Sequence, residues 1–287
     1  MHDYELPTGA DVAFFRENGY WLSPKLIDDA TLAALRDHHA RVVAGTYETG
    51  RMPLSRDPGP GDTSKLVQVN NAYWTDVTIA RLVLHPLIGR IAAGLAGVGG
   101  IRLWHDQLLY KPPRSGTGGT IGWHQDKGYW RCLDNDGALT AWVALDDVDE
   151  ENGCMEVVPG SHAWGLLSED HFYQQDIDEQ TKRIEAKTGR GFTTRSCVLG
   201  AGCVSFHHCM TVHGSRANIS SRPRISIAIH LIPDGTGYRA GTESDDHTSN
   251  TLRRPKNGET YAGPYFPVLY REGEPLANAW MTGSPLS

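Results

Sequence analysis

The run His124-Gln125-Asp126 sets an imidazole two residues from a carboxylate. On an extended segment alternate side chains share a face, so His124 and Asp126 project together while Gln125 points away or leans along the rim. An imidazole and a carboxylate side by side can take two adjacent positions on a divalent metal. A third ligand is available far downstream, in His213-Gly214-Ser215, which a chain folded back on itself would bring opposite His124. His207 and His208 compete for that role. His213 is preferred because Gly214 lets the backbone come close and Ser215 adds a donor beside the site. Two His and one carboxylate on one face of a metal leave positions open for small ligands, the arrangement of non-haem Fe(II) oxygenases.

A further element separates an iron site that uses a cosubstrate from a hydrolytic zinc site. In the run Arg224 to Leu231, Ile225, Ile227, Ile229 and Leu231 form one face, and Arg224, Ser226, Ala228 and His230 the other. An arginine on the concave face of a barrel strand is costly to bury unless an anion pairs with it. A guanidinium with a hydroxyl beside it suits a carboxylate. A zinc hydrolase on the same three ligands and a non-catalytic jelly-roll binding protein are the alternatives, but HExxH and a second acidic cluster are missing from the sequence. Trp123, Tyr129 and Trp130 flank the metal motif and read either as an aromatic wall for a substrate or as core packing.

These residues must be carried by two kinds of segment. The first hundred residues read as mostly helical: a helix ending at Gly19 with a short strand Tyr20-Trp21-Leu22 after it, and a helix capped by Asp28 or Asp29 with Leu32, Leu35, Val42 and Val43 at helical spacing. A loop follows over Leu54 to Ser64, then a helix from Pro86 to Leu95 stopped by Gly97. After Gly100 short β-type runs alternate with turn clusters, including IRLWHDQLLY, IGWHQDKGYW, ALTAWVALDDV, CVSFHH and ISIAIHLIP. That spacing predicts a sandwich or barrel. A helix-plus-loop insertion is expected around 165–190, and residues 236–287 read as a C-terminal loop and lid, the whole of 1–287 forming one domain. GTGGTIG lacks the GK[ST] ending of a phosphate loop and opens into a strand, so it is a hairpin connection.

Composition narrows the classes. The 287 residues carry 27 Lys and Arg against 34 Asp and Glu, a net charge of −7, which argues against a nucleic-acid surface. The longest charge-free stretch, Ser196 to Ser215, holds three His with Ser and Gly, which disfavours a membrane span and favours buried strands. The start MHDYELPTGAD predicts no secretory leader, and five cysteines without CxxC spacing predict reduced thiols and a cytoplasmic location.

Taken in order, WHQD, LTAWVAL, NGCMEVVPGSH and HGSRANISSRPRIS resemble the phytanoyl-CoA dioxygenase (PhyH) family of Fe(II)/2-oxoglutarate-dependent oxygenases, over about Asp106 to Leu231. The resemblance implies a mainly β fold with flanking α, a double-stranded β-helix (cupin-like jelly roll) with N-terminal helices packed on one sheet. It implies His124, Asp126 and His213 as iron ligands and Arg224 as partner of the distal carboxylate of 2-oxoglutarate. Ser226, Ser215, Trp142, Gln107 and Gln125 then line the cosubstrate pocket, together with one of Lys65, Gln68 or Asn70. Asp126 departs from the halogenating relatives, where a small residue replaces the acid. The implied reaction consumes Fe(II)-bound 2-oxoglutarate and O2, releases succinate and CO2, and most simply hydroxylates a C–H bond. Epimerisation, ring closure and desaturation are alternative outcomes on the same scaffold. The substrate expected is a small natural-product or lipid-like intermediate. An acyl-CoA would want basic residues at the mouth, for which Arg114, Arg253, Arg254 and Lys256 are available.

Overall fold

The structure is a computed structural model that describes residues 6–167, 176–252 and 255–274. The chain opens with α1 (Gly9–Asn18), whose N-terminus is closed by reciprocal bonds between Thr8 and Asp11 and whose C-terminus ends at Gly19 with φ 76°. There follow β1 (Tyr20–Leu22), α2 (Asp29–Ala44), β2 (Ser55–Asp57), β3 (Val67–Asn70), α3 (Val77–Val83) and α4 (Pro86–Ala96). Asp28 caps α2, and the four apolar residues picked out by spacing are buried on it. The apolar segment from Val77 to Ala96 is divided at Leu84-His85, where Pro86 starts the second helix.

The second part supplies β4 (Gly100–Lys111), β5 (Ile121–His124), the helical turn α5 (Asp126–Tyr129), β6 (Leu139–Ala144), β7 (Met155–Val157), α6 (Ile177–Thr188), β8 (Arg195–Ser196), β9 (Val204–His208), β10 (His213–Ser215), β11 (Arg224–Pro233), α7 (Thr248–Leu252) and β12 (Val268–Arg271). Eight strands form a major antiparallel sheet in the order β1-β9-β6-β11-β4-β3-β2, with β12 also on β4; four form a minor sheet, β5-β10-β7-β8. This is a double-stranded β-helix with α1–α4 on the outer face of the major sheet and α6 against β5 of the minor one. Ile225, Ile227, Ile229 and Leu231 point out of β11 into the principal core, which joins the outer face of the major sheet to α1–α4. The inner face looks across at the minor sheet, and the site lies between.

Three local expectations are corrected. The first hundred residues hold the expected strand β1, paired with β9, but also β2 and β3, which pair with each other and, through β3, with β4. The loop over Leu54 to Ser64 contains β2, a polar edge strand fixed by tertiary bonds: Arg56 donates to the last carbonyls of α2, Val42 O at 3.0 Å and Val43 O at 2.6 Å. The run IGWHQDKGYW is a strand only as far as His124. Of the expected insertion, residues 168–175 lie outside the described residues and the rest is α6.

Candidate metal and cosubstrate site

His124 closes β5, Gln125 is extended (φ −115°, ψ 130°), and Asp126 begins the turn of α5. One extended residue is enough to keep His124 and Asp126 on the same side, so the alternation argument survives although the strand has ended. β10 lies beside β5 with His213 in register opposite His124. The close approach depends on Gly214, where a Cβ would stand 2.9 Å from Ile121 O and 3.1 Å from the Trp123 ring.

One ligand atom from each of His124, Asp126 and His213 falls within 4.8 Å of the others. Asp126 Oδ1 is 3.8 Å from His124 Nε2 and 3.7 Å from His213 Nε2. Each imidazole has its other nitrogen against a backbone carbonyl, His124 Nδ1 on Gly122 O at 2.8 Å and His213 Nδ1 on Thr211 O at 2.9 Å. A carbonyl only accepts, so Nδ1 carries the proton and both Nε2 lone pairs face the gap. Burial holds both histidines below their ordinary range, His213 well below with help from repulsion by His124. Burial works to raise the Asp126 carboxyl, but His213, then His207 and His230, take it well below the usual range. Neutral nitrogens around a carboxylate are the protonation states that a divalent ion requires.

The second oxygen of Asp126 is held from behind. Thr140 donates to Oδ2 at 2.7 Å, Thr140 Oγ1 lies 2.8 Å from His230 Nδ1, and His230 Nε2 is 3.3 Å from the Gln107 side-chain amide. His207, the rival ligand, is also at Oδ2, at 3.5 Å. It therefore sits beside the carboxylate rather than across from Oδ1. His208 turns away toward His162, with ring centroids 5.6 Å apart.

Behind the triad a narrow cavity runs between the sheets, lined by Gln107, Trp142, Ser215 and Arg224 among others. Arg224 is 2% exposed, lies 5.2 Å from the Trp142 ring, and donates from Nη1 to Gly153 O; its Nε has no partner. Burial pulls the guanidinium down to about 10. Ser226 follows on the same face, its buried hydroxyl also without a partner. A buried cation with an orphaned donor, and no carboxylate on it among the described residues, is a fit for the far carboxylate of a dianion. Of the three polar candidates before the jelly roll, Gln68 lines this cavity. Asn70 reaches only the outer cavity, and Lys65 is tied to Asp57 at the surface.

Three expected site residues are not in it: Ser226, although on the Arg224 face of β11, lines neither cavity, and the other two point elsewhere. Gln125 does not line the cosubstrate cavity: extended backbone turns it opposite to its neighbours, where its amide donates to Met210 O (2.7 Å) and Gly165 O (2.9 Å) and accepts from Leu167 N (2.7 Å). Trp123 does not face a substrate. Alternation along β5 sends it away from His124, its indole donates to Thr181 Oγ1 at 2.8 Å, and Phe192 packs edge-on against it. Tyr129 and Trp130 do line a second, outer cavity of about 600 Å³ in front of the triad, with Glu243, Ser244, Asp246, His247 and Thr248 of the expected lid region. Arg114 and Lys256 line neither cavity, and Arg253 and Arg254 lie outside the described residues.

Two residues were missed from sequence. Lys111, buried at the end of β4, donates to Ser215 Oγ (2.7 Å), Arg216 O (2.6 Å) and Gly153 O (3.4 Å). His105, on the same face of β4 as Gln107, lines the outer cavity. The available signal was period two in HDQLLYK, which puts His105, Gln107 and Lys111 with Leu109 on one side; the register shift before His105 turns Leu103 to the other.

The comparisons with known proteins agree with this geometry. The bovine (Bos taurus) peroxisomal phytanoyl-CoA dioxygenase is 26% identical over 242 residues, 78% of this chain and 68% of that protein, so the chain spans about two-thirds of its length. The crystal structure of the non-haem α-ketoglutarate-dependent carbocyclase SnoK from nogalamycin biosynthesis superposes with a TM-score of 0.72 at 26% identity, covering 93% of this chain and 99% of that one. The epimerase SnoN, in complex with Fe3+, α-ketoglutarate and nogalamycin RO, gives 0.71 at 27%, covering 91% and 97%. The profile of the phytanoyl-CoA dioxygenase (PhyH) family matches residues 15–226. On that match and that geometry, the chain belongs to the phytanoyl-CoA dioxygenase family and is a non-haem iron oxygenase that uses 2-oxoglutarate and O2.

Proposed function

We propose that this enzyme oxidises an unactivated C–H bond of a small, ring-bearing organic substrate, hydroxylating it and releasing succinate and CO2. His124, Asp126 and His213 hold the iron, and Arg224 with Ser215 receives the distal carboxylate of 2-oxoglutarate. The observation that carries the reading is the junction of the two cavities. Gln68, Gln107, His124, Asp126 and His230 line both, so the triad stands between a cationic inner compartment and a roomy outer one. Iron with 2-oxoglutarate and O2 supplies the oxidising chemistry. The chain supplies placement: Thr140 keeps Oδ2 of Asp126 occupied and Oδ1 free, the β5–β10 register fixes the imidazoles, and Trp142 screens Arg224 from water.

A second outcome, epimerisation or ring closure without net hydroxylation, is supported by the likeness to the carbocyclase and the epimerase, and oxygen-isotope analysis of the product separates the two. A zinc hydrolase would need its base from the outer cavity, where Glu243 is paired with Arg131, since Asp126 is the sole carboxylate among the described residues lining the inner cavity. Anaerobic addition of 2-oxoglutarate to the Fe(II)-loaded protein is expected to develop a visible charge-transfer band. Arg224→Met is expected to raise the half-saturating concentration about a hundredfold, the scale of a lost charge-assisted pair, with iron content unchanged. No band in the wild type, or equal loss of iron and cosubstrate in the variant, overturns the assignment.

A further inference from the structure

The outer cavity is lined by His105, Trp130, His247, Arg131, Glu243 and Asp246, among others. His105 is 3% exposed, and neither of its ring nitrogens has a hydrogen-bond partner. It is opposite His230 in the β4–β11 register, with ring centroids 4.4 Å apart, and has His247 at 5.2 Å and Trp130 at 5.9 Å. Trp104 stacks on His247 at 5.2 Å and 22°. Burial, then repulsion from His230 and His247, holds His105 well below its ordinary range, so the ring is neutral. A neutral imidazole presents one N–H and one lone pair, and each buried group left unmet costs about 1–3 kcal/mol. The described cation on this wall, Arg131, is already paired with Glu243 at 2.8 Å, and Asp246 adds a further negative charge.

We propose that the outer cavity takes a neutral, hydroxyl-bearing ring compound and that His105 recognises one of its hydroxyls. The flat faces of Trp130 and the imidazoles suit a ring, the orphaned nitrogens suit a group that both donates and accepts, and the charge balance of the described wall disfavours a phosphate or carboxylate. This rests on the oxygenase reading above, and the test keeps the two apart.

The Fe(II)- and 2-oxoglutarate-loaded protein is dialysed without O2 against β-naphthol, its methyl ether and β-naphthyl phosphate. The naphthol is expected to bind about tenfold tighter than the ether, about one hydrogen bond's difference, and the phosphate weakest. His105→Phe, which keeps a flat ring, is expected to erase the naphthol–ether difference while leaving the charge-transfer band and the affinity for the ether unchanged. Equal binding of naphthol and ether, preference for the phosphate, or discrimination that persists in His105→Phe overturns the proposal. Should the variant not fold, the three wild-type affinities decide alone. Loss of the wild-type band would instead strike the oxygenase reading.

At the opposite end of the site, the geometry assigns Lys111 a positioning role for the cosubstrate. Lys111 Nζ donates to Ser215 Oγ at 2.7 Å, which makes the oxygen an acceptor on that side and sends the hydroxyl proton elsewhere. Ser215 lines the inner cavity beside Arg224, where a distal carboxylate would receive that proton. Lys111 also donates to the Gly153 carbonyl that holds Arg224 Nη1. Lys111→Met is expected to raise the half-saturating 2-oxoglutarate about tenfold but to leave that of 2-oxovalerate, which lacks the distal carboxylate, unchanged. Ser215→Ala is expected to give the same selective loss, and the double variant no more than either alone. Equal penalties on both oxo acids, or additive losses, overturn the role, and Lys111→Arg restoring 2-oxoglutarate selectivity supports it.

Discussion

The two faces of β4 and β11 come from the same residues taken alternately, and they solve opposite problems. Outward, Leu108, Ile225, Ile227 and Ile229 are buried in the principal core against the helices. Inward, His105, Arg224 and His230 are just as buried and Gln107 is half-buried, yet their polar atoms meet each other, the Thr140 hydroxyl, backbone carbonyls, or nothing. The outer face is held by shape and the removal of apolar surface from water. The inner face spends stability to keep donors and charges ready for guests. Function and folding are therefore divided across the thickness of one sheet.

That division can be broken by substitution. Asp126→Ala should be the most severe change to turnover, a loss of about a thousandfold or about 4 kcal/mol of barrier, with iron content falling and the unfolding temperature nearly unchanged. Metal analysis, succinate release and calorimetry read the three quantities. A collapse of the fold would show that the inner face also holds the sheet together. Ile227→Ala, one residue from the inner face, should do the reverse. It should cost about 2–5 kcal/mol of stability while folded protein keeps its half-saturating 2-oxoglutarate, and denaturant melts beside the charge-transfer titration would expose any leakage between faces.

A smaller effect sharpens the contrast, because one residue violates it. Asp106 points from β4 toward the helix side, where Oδ1 accepts from Tyr73 N at 3.4 Å and Oδ2 has no hydrogen-bond partner among the described residues. Burial pushes its carboxyl up to about 8. Between the ordinary value of 3.8 and about 8 the folded protein binds a proton that the unfolded chain lacks, so this group lowers stability as pH rises through that window. Asp106→Asn should therefore raise the unfolding temperature near pH 8, by about 4 °C for each 1–2 kcal/mol recovered, with the gain gone by pH 4. His39 acts with the opposite sign. Burial pulls it to about 4, against the Leu109 carbonyl, so its contribution is present above 6.5 and lost as pH falls toward about 4. Melts across pH should show the wild type losing stability at both ends and the Asp106 variant chiefly at the acid end.

What was legible in the sequence followed from local rules. Gly19 marked the end of α1, though not its Thr8 cap, and Asp28 or Asp29 the start of α2, where Asp28 is the cap. Period two separated the faces of β11, and the HxD spacing needed only one extended residue to work. What was not legible depended on partners distant in the chain. β2 has no strand pattern of its own and exists because β3 and the end of α2 are beside it. Gln125 and Trp123 sit next to a ligand in sequence but not in space: the alternation that joins His124 to Asp126 also expels their neighbours, as it does Gln125 against the pocket position that the family resemblance implies. Lys111 reads as a solvent-facing charge until the chain after His213 arrives to surround it.

The three-residue strand β10 is clasped on both edges, by β5 and by β7, with His213 facing His124 on one side and Val157 on the other. Sliding it by one position would carry the imidazole to the opposite face and press a side chain into the gap that Gly214 leaves open. The geometry of the centre is thus quantised. Variation in this enzyme can reshape the chamber in front of the triad gradually, one wall residue at a time, whereas the triad itself has no neighbouring arrangement to drift into.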